Sequence, residues 1–334
     1  MPPAPQTAQA LVETVYGQMK RDFGLVACPI TLHRPVPELL AASWSTLRET
    51  VVADGVDRAA KETVASTISQ LNGCPYCVDA HVVMLGAVGK RDVQRAIDRH
   101  DYDAIPYENL RALAHWAAAT RTPDAAELLA PPFGPAEAPE LIGTAVYFHY
   151  VNRMVSLFCD ESPFGSTNRL LRASLVRIGG RRFRDVALEP HAAGTSLGLI
   201  PGAELPEELA FAAAKPTVAR AWASFAASVA RAADPVLDSS SRAAIEAELA
   251  KWNGDDPPIG GGWLEEFANE LDEPVRGAAR LALAAALAPY RATEHDIARA
   301  GSGEGAAEVV AAAAWGALAA AKRVARWITP PEFG

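Results

Sequence analysis

Apolar residues recur every third or fourth position along most of the chain, the spacing of helices with one buried face. The first such run predicts a helix over residues 6–21, with Leu11, Val12, Val15 and Met19 on one side. A proline-bearing connection, CPITLHRPVP, leads to a second helix from about Pro37 to Ala53, in which Leu39, Leu40, Trp44 and Leu47 form the apolar face. Pro37 suits a first helical position because its missing N–H would be unpaired there anyway. A third helix runs from about Asp57 to Leu71, and Asn72-Gly73 stops it with residues that tolerate the left-handed conformation. Cys74 and Pro75 open the next, which continues to about Leu85. Shorter helices follow at Arg91–Asp98 and Tyr107–Ala119, a single turn at Asp124–Leu129, and a long helix at Glu140–Phe158. No alternating run is long enough to make a strand, so the fold class is all-α.

From residue 159 to 215 the pattern changes. Glycines and prolines become frequent, with one helical piece near Asn168–Ile178, and six arginines without an acid lie between Arg169 and Arg184. A solvated or subunit-facing surface explains the arginines more simply than an anion-binding patch. After this segment the first half is echoed in order. AASWSTLRETVVADGVD resembles ARAWASFAASVARAADP, SQLNGCPYC resembles AKWNGDDPP, HWAAATRTPDA resembles LALAPYRATEH, and VNRMVSLF resembles AAKRVARWI. These echoes predict two tandem related halves, residues 1–164 and 216–334, joined by an irregular linker at 165–215. The second half has no cysteine: Asp255, Asp256, Pro257 and Pro258 stand where NGCPYC stands in the first.

Composition narrows the classes. At 334 residues with a net charge of −9, the chain can bury a large core but lacks the basic surface of a nucleic-acid binder. The start of the chain lacks the pattern of a secretory leader, and the longest apolar run, Val309–Ala321, is too short to span a bilayer. Four cysteines, two of them in C-x-x-C, suit a reducing cytoplasm with one redox-active pair. Cys28 and Cys159 are expected to be small buried side chains. Trp44, Trp116, Trp222 and Trp315 are expected in the core or at a subunit interface, and the polar and aromatic group Tyr147, His149, Tyr150, Asn152 and Arg153 reads as packing and helix-end bonding.

The chemistry concentrates in ETVASTISQLNGCPYCVDAHVVM, residues 62–84. Thiol chemistry needs the thiolate, and free cysteine, with a pKa of about 8.5, is mostly protonated at neutral pH. Cys74 sits at the predicted helix cap and Cys77 in its first turn, where unpaired N–H groups favour the anion. The two-residue spacing lets the sulfurs meet. His81 lies four residues past Cys77 on the same face, within about 5–6 Å at Cβ, placed to move protons. Glu62 lies on the preceding helix, which the Asn72-Gly73 turn folds back toward His81. A closed structural zinc site needs four ligands, and only Cys74, Cys77 and His81 are at hand. No flavin or nicotinamide fingerprint is present, so no cofactor is expected.

Glu62, Cys74, Cys77 and His81, spaced E-x11-C-x-x-C-x3-H, resemble the signature of the AhpD-like alkyl hydroperoxidase branch of the carboxymuconolactone decarboxylase superfamily. The resemblance is strongest from about Pro37 to Leu85. It implies an all-α fold, homo-oligomeric assembly, and a thiol-dependent peroxidase or disulfide oxidoreductase that takes hydroperoxides. It also implies an external dithiol or thiol-protein reductant, a peroxiredoxin or a lipoyl-type partner. By resemblance Cys77 is the thiol oxidised to sulfenic acid, Cys74 the more accessible resolving thiol, and Glu62 and His81 the proton relay. Tyr76 stands where the founding enzymes carry histidine, and tyrosine is a weak base at neutral pH. The competing readings are a non-catalytic helical redox sensor or scaffold, and, less favoured, a decarboxylase-type enzyme, whose relatives generally lack the C-x-x-C pair.

Overall fold

The computed structural model describes residues 7–159, 162–164, 168–258, 260–300 and 305–333; Gln6, where the sequence pattern starts the first helix, and Gly165 of the linker lie outside them. Helix follows helix throughout, with no strand among the described residues. The first half contains α1 (Ala8–Asp22), α2 (Cys28–Thr31), α3 (Pro37–Leu47), α4 (Arg58–Leu71), α5 (Pro75–Ala87), α6 (Arg91–Asp98), α7 (Glu108–Ala119), α8 (Ala126–Leu129) and α9 (Ala138–Phe158). α10 (Arg169–Arg182) and α11 (Arg184–Leu188) follow. The remainder holds α12 (Pro216–Ala233), α13 (Ser239–Lys251), α14 (Gly262–Asn269), α15 (Glu273–Leu287), α16 (Glu294–Ala300) and α17 (Ala306–Ile328).

Local chemistry starts and stops these helices as the sequence leads one to expect. Thr7 caps α1 by accepting from the Ala10 N–H at 3.1 Å, and Asp57 caps α4 by accepting from Ala59 at 3.2 Å. Prolines open α3 and α5. The run after α3 does not continue as an ordinary helix: Arg48–Val52 widens into a π-helical turn. That turn carries Arg48 and Glu49 into the interior. There Arg48 pairs with Asp22 at 2.7 Å, and Glu49 accepts from Gly194 N at 2.7 Å and Ser196 Oγ at 2.8 Å.

The core is built on α9, which is buried over almost its whole length and packs against α4, α5 and α17. Trp44 on α3 and Trp222 on α12 are fully buried, and those two helices pack on each other. Trp116 is buried as well, while Trp315 is half-buried. α17 crosses α15 so closely that a Cβ on Gly316 would lie 1.9 Å from Ala282 O, which only glycine permits. No described helix is long and apolar enough to cross a membrane.

Residues 165–215 are less irregular than their glycines and prolines imply. α10 runs through Gly179 and Gly180 to Arg182. Those glycines do not break the helix; they let it lie against α5. A Cβ on Gly180 would sit 3.2 Å from the Gly86 carbonyl carbon, and one on Gly179 would sit 3.0 Å from Val83. Within the arginine run, Arg172 reaches across to α5 and α6, bonding Asp79 Oδ1 from Nε at 2.6 Å and Asp98 from Nη2 at 3.1 Å. Arg177, Arg181, Arg182 and Arg184 face solvent.

Candidate active site

All four residues singled out from the sequence converge where α4, α5 and α9 meet. The turn between α4 and α5 sets the geometry. Gly73 takes φ +60°, and with nothing near its absent Cβ the requirement for glycine is purely conformational. The Cys74 N–H then reaches back to Ser69 O at 2.9 Å, and Cys74 becomes the cap of α5 with Pro75 behind it. The two sulfurs lie 2.8 Å apart, within hydrogen-bond reach.

His81 donates or accepts through Nδ1 at 2.6 Å from Glu62 Oε2, and Arg58 Nε donates to Glu62 Oε1 at 2.7 Å. Glu62 is fully buried. Burial opposes its charge, yet the Arg58 guanidinium, and then His81, hold the carboxyl below its ordinary range. With Glu62 ionised, the stable arrangement has Nδ1 carrying a proton toward the carboxylate and Nε2 left as a base. The edge of the His81 ring meets Phe148 at a centroid distance of 4.5 Å, which fixes its orientation.

The two thiols are electrostatically unlike. A bond from the Cys77 thiol lowers the Cys74 pKa against the opposing effect of burial, with smaller help from Ser156 and Asn152. Burial pushes Cys77 well up, and its bond to Cys74 adds to this. Of the two, Cys74 is therefore the thiol that ionises more readily. Accessibility does not separate them in the way the resemblance implies: Cys74 is 2% and Cys77 3% exposed. The packed walls of α9 cover both.

Two cavities flank the pair. One, of about 170 Å3, is lined by Cys77, His81, Phe148, Tyr147, Val151 and Ile30 together with Phe23, Met84, Phe164 and Phe183, a largely apolar wall. The other, of about 280 Å3, is lined by Asn72, Gly73, Asn152, Ser156 and Arg121, with Asp256, Pro289 and Tyr290 of the second half; Cys74 itself is not part of its wall.

Sequence reasoning kept the α9 polar group off the site, and the structure brings part of it in. Asn152 accepts from Asn72 Nδ2 at 3.0 Å and donates to Ser69 Oγ at 3.2 Å, bracing the turn that carries Cys74. His149 accepts from Asn72 at 3.2 Å and bonds Thr120 Oγ1 at 2.8 Å. The signal was present as His149, Asn152 and Ser156, a polar stripe at helical spacing on an otherwise apolar helix. Tyr76 is half-buried; burial first, then the charges of Cys28, Cys159 and Cys77 and a bond to Cys28, raises its pKa, so it remains a phenol. The expectation that Cys28 and Cys159 are small buried side chains is corrected. Cys28 is exposed and Cys159 half-buried, because α2 and the end of α9 bring them together at the surface.

Residues 38–130, which hold Glu62, Cys74, Cys77 and His81, match the model of the carboxymuconolactone decarboxylase family. A Mycobacterium tuberculosis (strain ATCC 25618 / H37Rv) protein named alkyl hydroperoxide reductase Rv2159c is 36% identical over 330 residues, covering 98% of this chain and 93% of that protein. The chain belongs to the carboxymuconolactone decarboxylase family. Its relative's name points to the peroxidase-like members of that family, with which the all-helical fold is consistent. Nearly the full length of both chains aligns, so the segment after residue 158 is shared with that relative too.

Proposed function

We propose that this protein is a thiol-dependent peroxidase that reduces organic hydroperoxides through Cys74 and Cys77. The observation that carries the reading is the apolar cavity lined by Cys77 and His81, with Glu62 holding His81 from behind. A hydroperoxide with an apolar group suits those walls better than hydrogen peroxide.

Charge moves as follows. Cys77 gives its proton to the Cys74 thiolate 2.8 Å away, or to His81, and becomes the nucleophile. Its sulfur attacks the outer oxygen of the hydroperoxide, the O–O bond breaks, and a proton managed by His81 completes the alcohol. Cys77 is left as sulfenic acid. Cys74 attacks it, water leaves, and the Cys74–Cys77 disulfide forms. An external dithiol, small or borne by a protein, restores both thiols. A second reading rests on the lowered pKa of Cys74 and on the cavity at neighbouring Gly73, Asn152 and Ser156: attack by Cys74 on a partner's disulfide.

The duplication read from the sequence finds support in the pairing of matched helices, α3 on α12 and α9 along α17. In this reading the second half serves as frame and as a wall of the cavity at Gly73.

Single-turnover mixing of reduced protein with cumene hydroperoxide tests the proposal. Fast oxidation that Cys77→Ser abolishes, that His81→Ala slows about 100-fold, and that Cys74→Ser leaves stalled at sulfenic acid is expected. Oxidation no faster than that of free cysteine, or unaffected by Cys77→Ser, rejects it.

A further inference from the structure

The remaining two cysteines are 131 residues apart in the chain, yet their sulfurs lie 3.5 Å apart. Cys28 opens α2 and Cys159 ends α9. Cys28 is exposed, whereas the sulfurs of the C-x-x-C pair are almost wholly covered. A protein reductant needs a sulfur it can touch, because exchange proceeds by in-line attack through a mixed disulfide. Cys28 offers one.

The outer pair is also close to the inner one. The Tyr76 pKa, raised first by burial, is raised further by Cys28 and Cys159, and Cys159 also adds to the rise at Cys77. Ala27 and Pro29 on either side of Cys28, and Pro163 just beyond Cys159, line the same cavity as Tyr76 and Cys77. Cys28, Cys159 and Cys77 thus all act on the Tyr76 phenol.

We propose that Cys28 and Cys159 form a second redox-active dithiol, which relays electrons from an external protein dithiol at the surface to the buried Cys74–Cys77 pair. The inference rests on the dithiol cycle above and identifies where the reductant acts. After the inner disulfide forms, Cys159 thiolate attacks the Cys77 sulfur. A Cys77–Cys159 bond forms, the Cys74–Cys77 bond breaks, and Cys74 leaves as the thiolate its surroundings favour. Cys28 then attacks Cys159, and Cys77 departs. The protons lost by Cys28 and Cys159 end on Cys74 and Cys77. The inner pair has gained two electrons and the outer pair has lost them. The outer sulfurs close from 3.5 Å to a bond of about 2.05 Å. An external dithiol reduces Cys28–Cys159 by the same exchange, entering at Cys28.

Time-resolved trapping tests the relay. Full-length reduced protein receives one equivalent of cumene hydroperoxide, is quenched with an alkylating reagent at intervals, and its disulfides are mapped by mass spectrometry. The Cys74–Cys77 disulfide is expected first, replaced by Cys28–Cys159 with Cys74 and Cys77 alkylated. Cys159→Ser is expected to stop at the inner disulfide, and Cys77→Ser to form no outer disulfide from the same equivalent. An inner disulfide that persists in the wild type while Cys28 and Cys159 are alkylated overturns the relay. So does an outer disulfide formed equally fast without Cys77. Reduction in the absence of hydroperoxide separates this inference from the peroxidase reading: protein oxidised with diamide is reduced by a protein dithiol, thioredoxin, and loss of the Cys74–Cys77 disulfide is followed. Slower loss in Cys28→Ser and Cys159→Ser than in the wild type supports the relay even where hydroperoxide is not consumed. Equal rates in all three overturn it.

Discussion

Replacing Glu62 by glutamine removes a charge and almost no volume, and the structure sets the size of the effect. The side chain is fully buried, and each carboxylate oxygen takes one strong bond, from Arg58 Nε at 2.7 Å and from His81 Nδ1 at 2.6 Å. Glutamine has one acceptor oxygen and one donor nitrogen. Arg58 cannot give up its proton, so the amide oxygen stays with it and the amide nitrogen turns to His81. His81 must then accept at Nδ1 and carry its proton on Nε2, which turns the free nitrogen from a base into a donor. Arg58 meanwhile loses its counter-charge, and its Nη2 already has no hydrogen-bond partner among the described residues. Breaking a buried pair this way costs about 3–5 kcal/mol, and the partial exposure of Arg58 places the expected loss near the lower bound. Losing the base adds a rate penalty of about 100-fold or more. Glu62→Gln protein, compared with wild type by urea unfolding and by single-turnover oxidation with cumene hydroperoxide, should show both losses. Wild-type stability together with an oxidation rate within about threefold of wild type refutes the assigned tautomer and the relay.

Three further outcomes follow from other features. Burial holds the His33 pKa down from 6.5 to about 4, so the unfolded chain binds a proton over that interval that the folded one does not. Stability that is complete above pH 6.5 should therefore fall by about 3 kcal/mol as pH drops to 4, with buried His149 acting in the same direction; a flat urea-midpoint profile over that window contradicts it. Below that, protonation of Glu62, whose folded pKa is depressed, should remove stability further. Gly316→Ala would put a Cβ 1.9 Å from Ala282 O between two core helices, and should lower unfolding stability by about 3 kcal/mol or more, whereas Gly73→Asn, with open space at its Cβ, should cost far less. Ala80→Phe, which fills the cavity of about 170 Å3, should slow oxidation by cumene hydroperoxide at least about tenfold and by hydrogen peroxide much less; equal slowing of both places the bulky peroxide elsewhere.

Much of the site was legible because its parts are close in the chain. Helical periodicity, the Asn72-Gly73 stop and Pro75 define α4 and α5, and a tight turn between two helices leaves little freedom in where Glu62, Cys74, Cys77 and His81 meet. Local rules also placed α1, α3, α7 and α9 within a few residues, since caps and apolar spacing act over single turns. The same rules end the helical piece at Ile178, before Gly179 and Gly180, whereas the helix continues through both. Glycine weakens a helix in isolation, but here it lets α10 touch the backbone of α5, a gain that no local propensity records.

What only the tertiary structure decided are matters of distance and burial. The sequence determined the helical frame, the dithiol and its carboxylate–imidazole partner, because each follows from residue type and short-range spacing. It did not determine that the Cys74 pKa is lowered and that of Cys77 raised: that depends on their mutual bond, on the burial of both, and on bonds from Asn152 and Ser156, far along the chain. Nor did it reveal that Cys28 and Cys159 meet at the surface, 131 residues apart. Electrostatics in a buried site is set by everything packed around it, and packing brings together residues whose separation in sequence carries no trace of their contact.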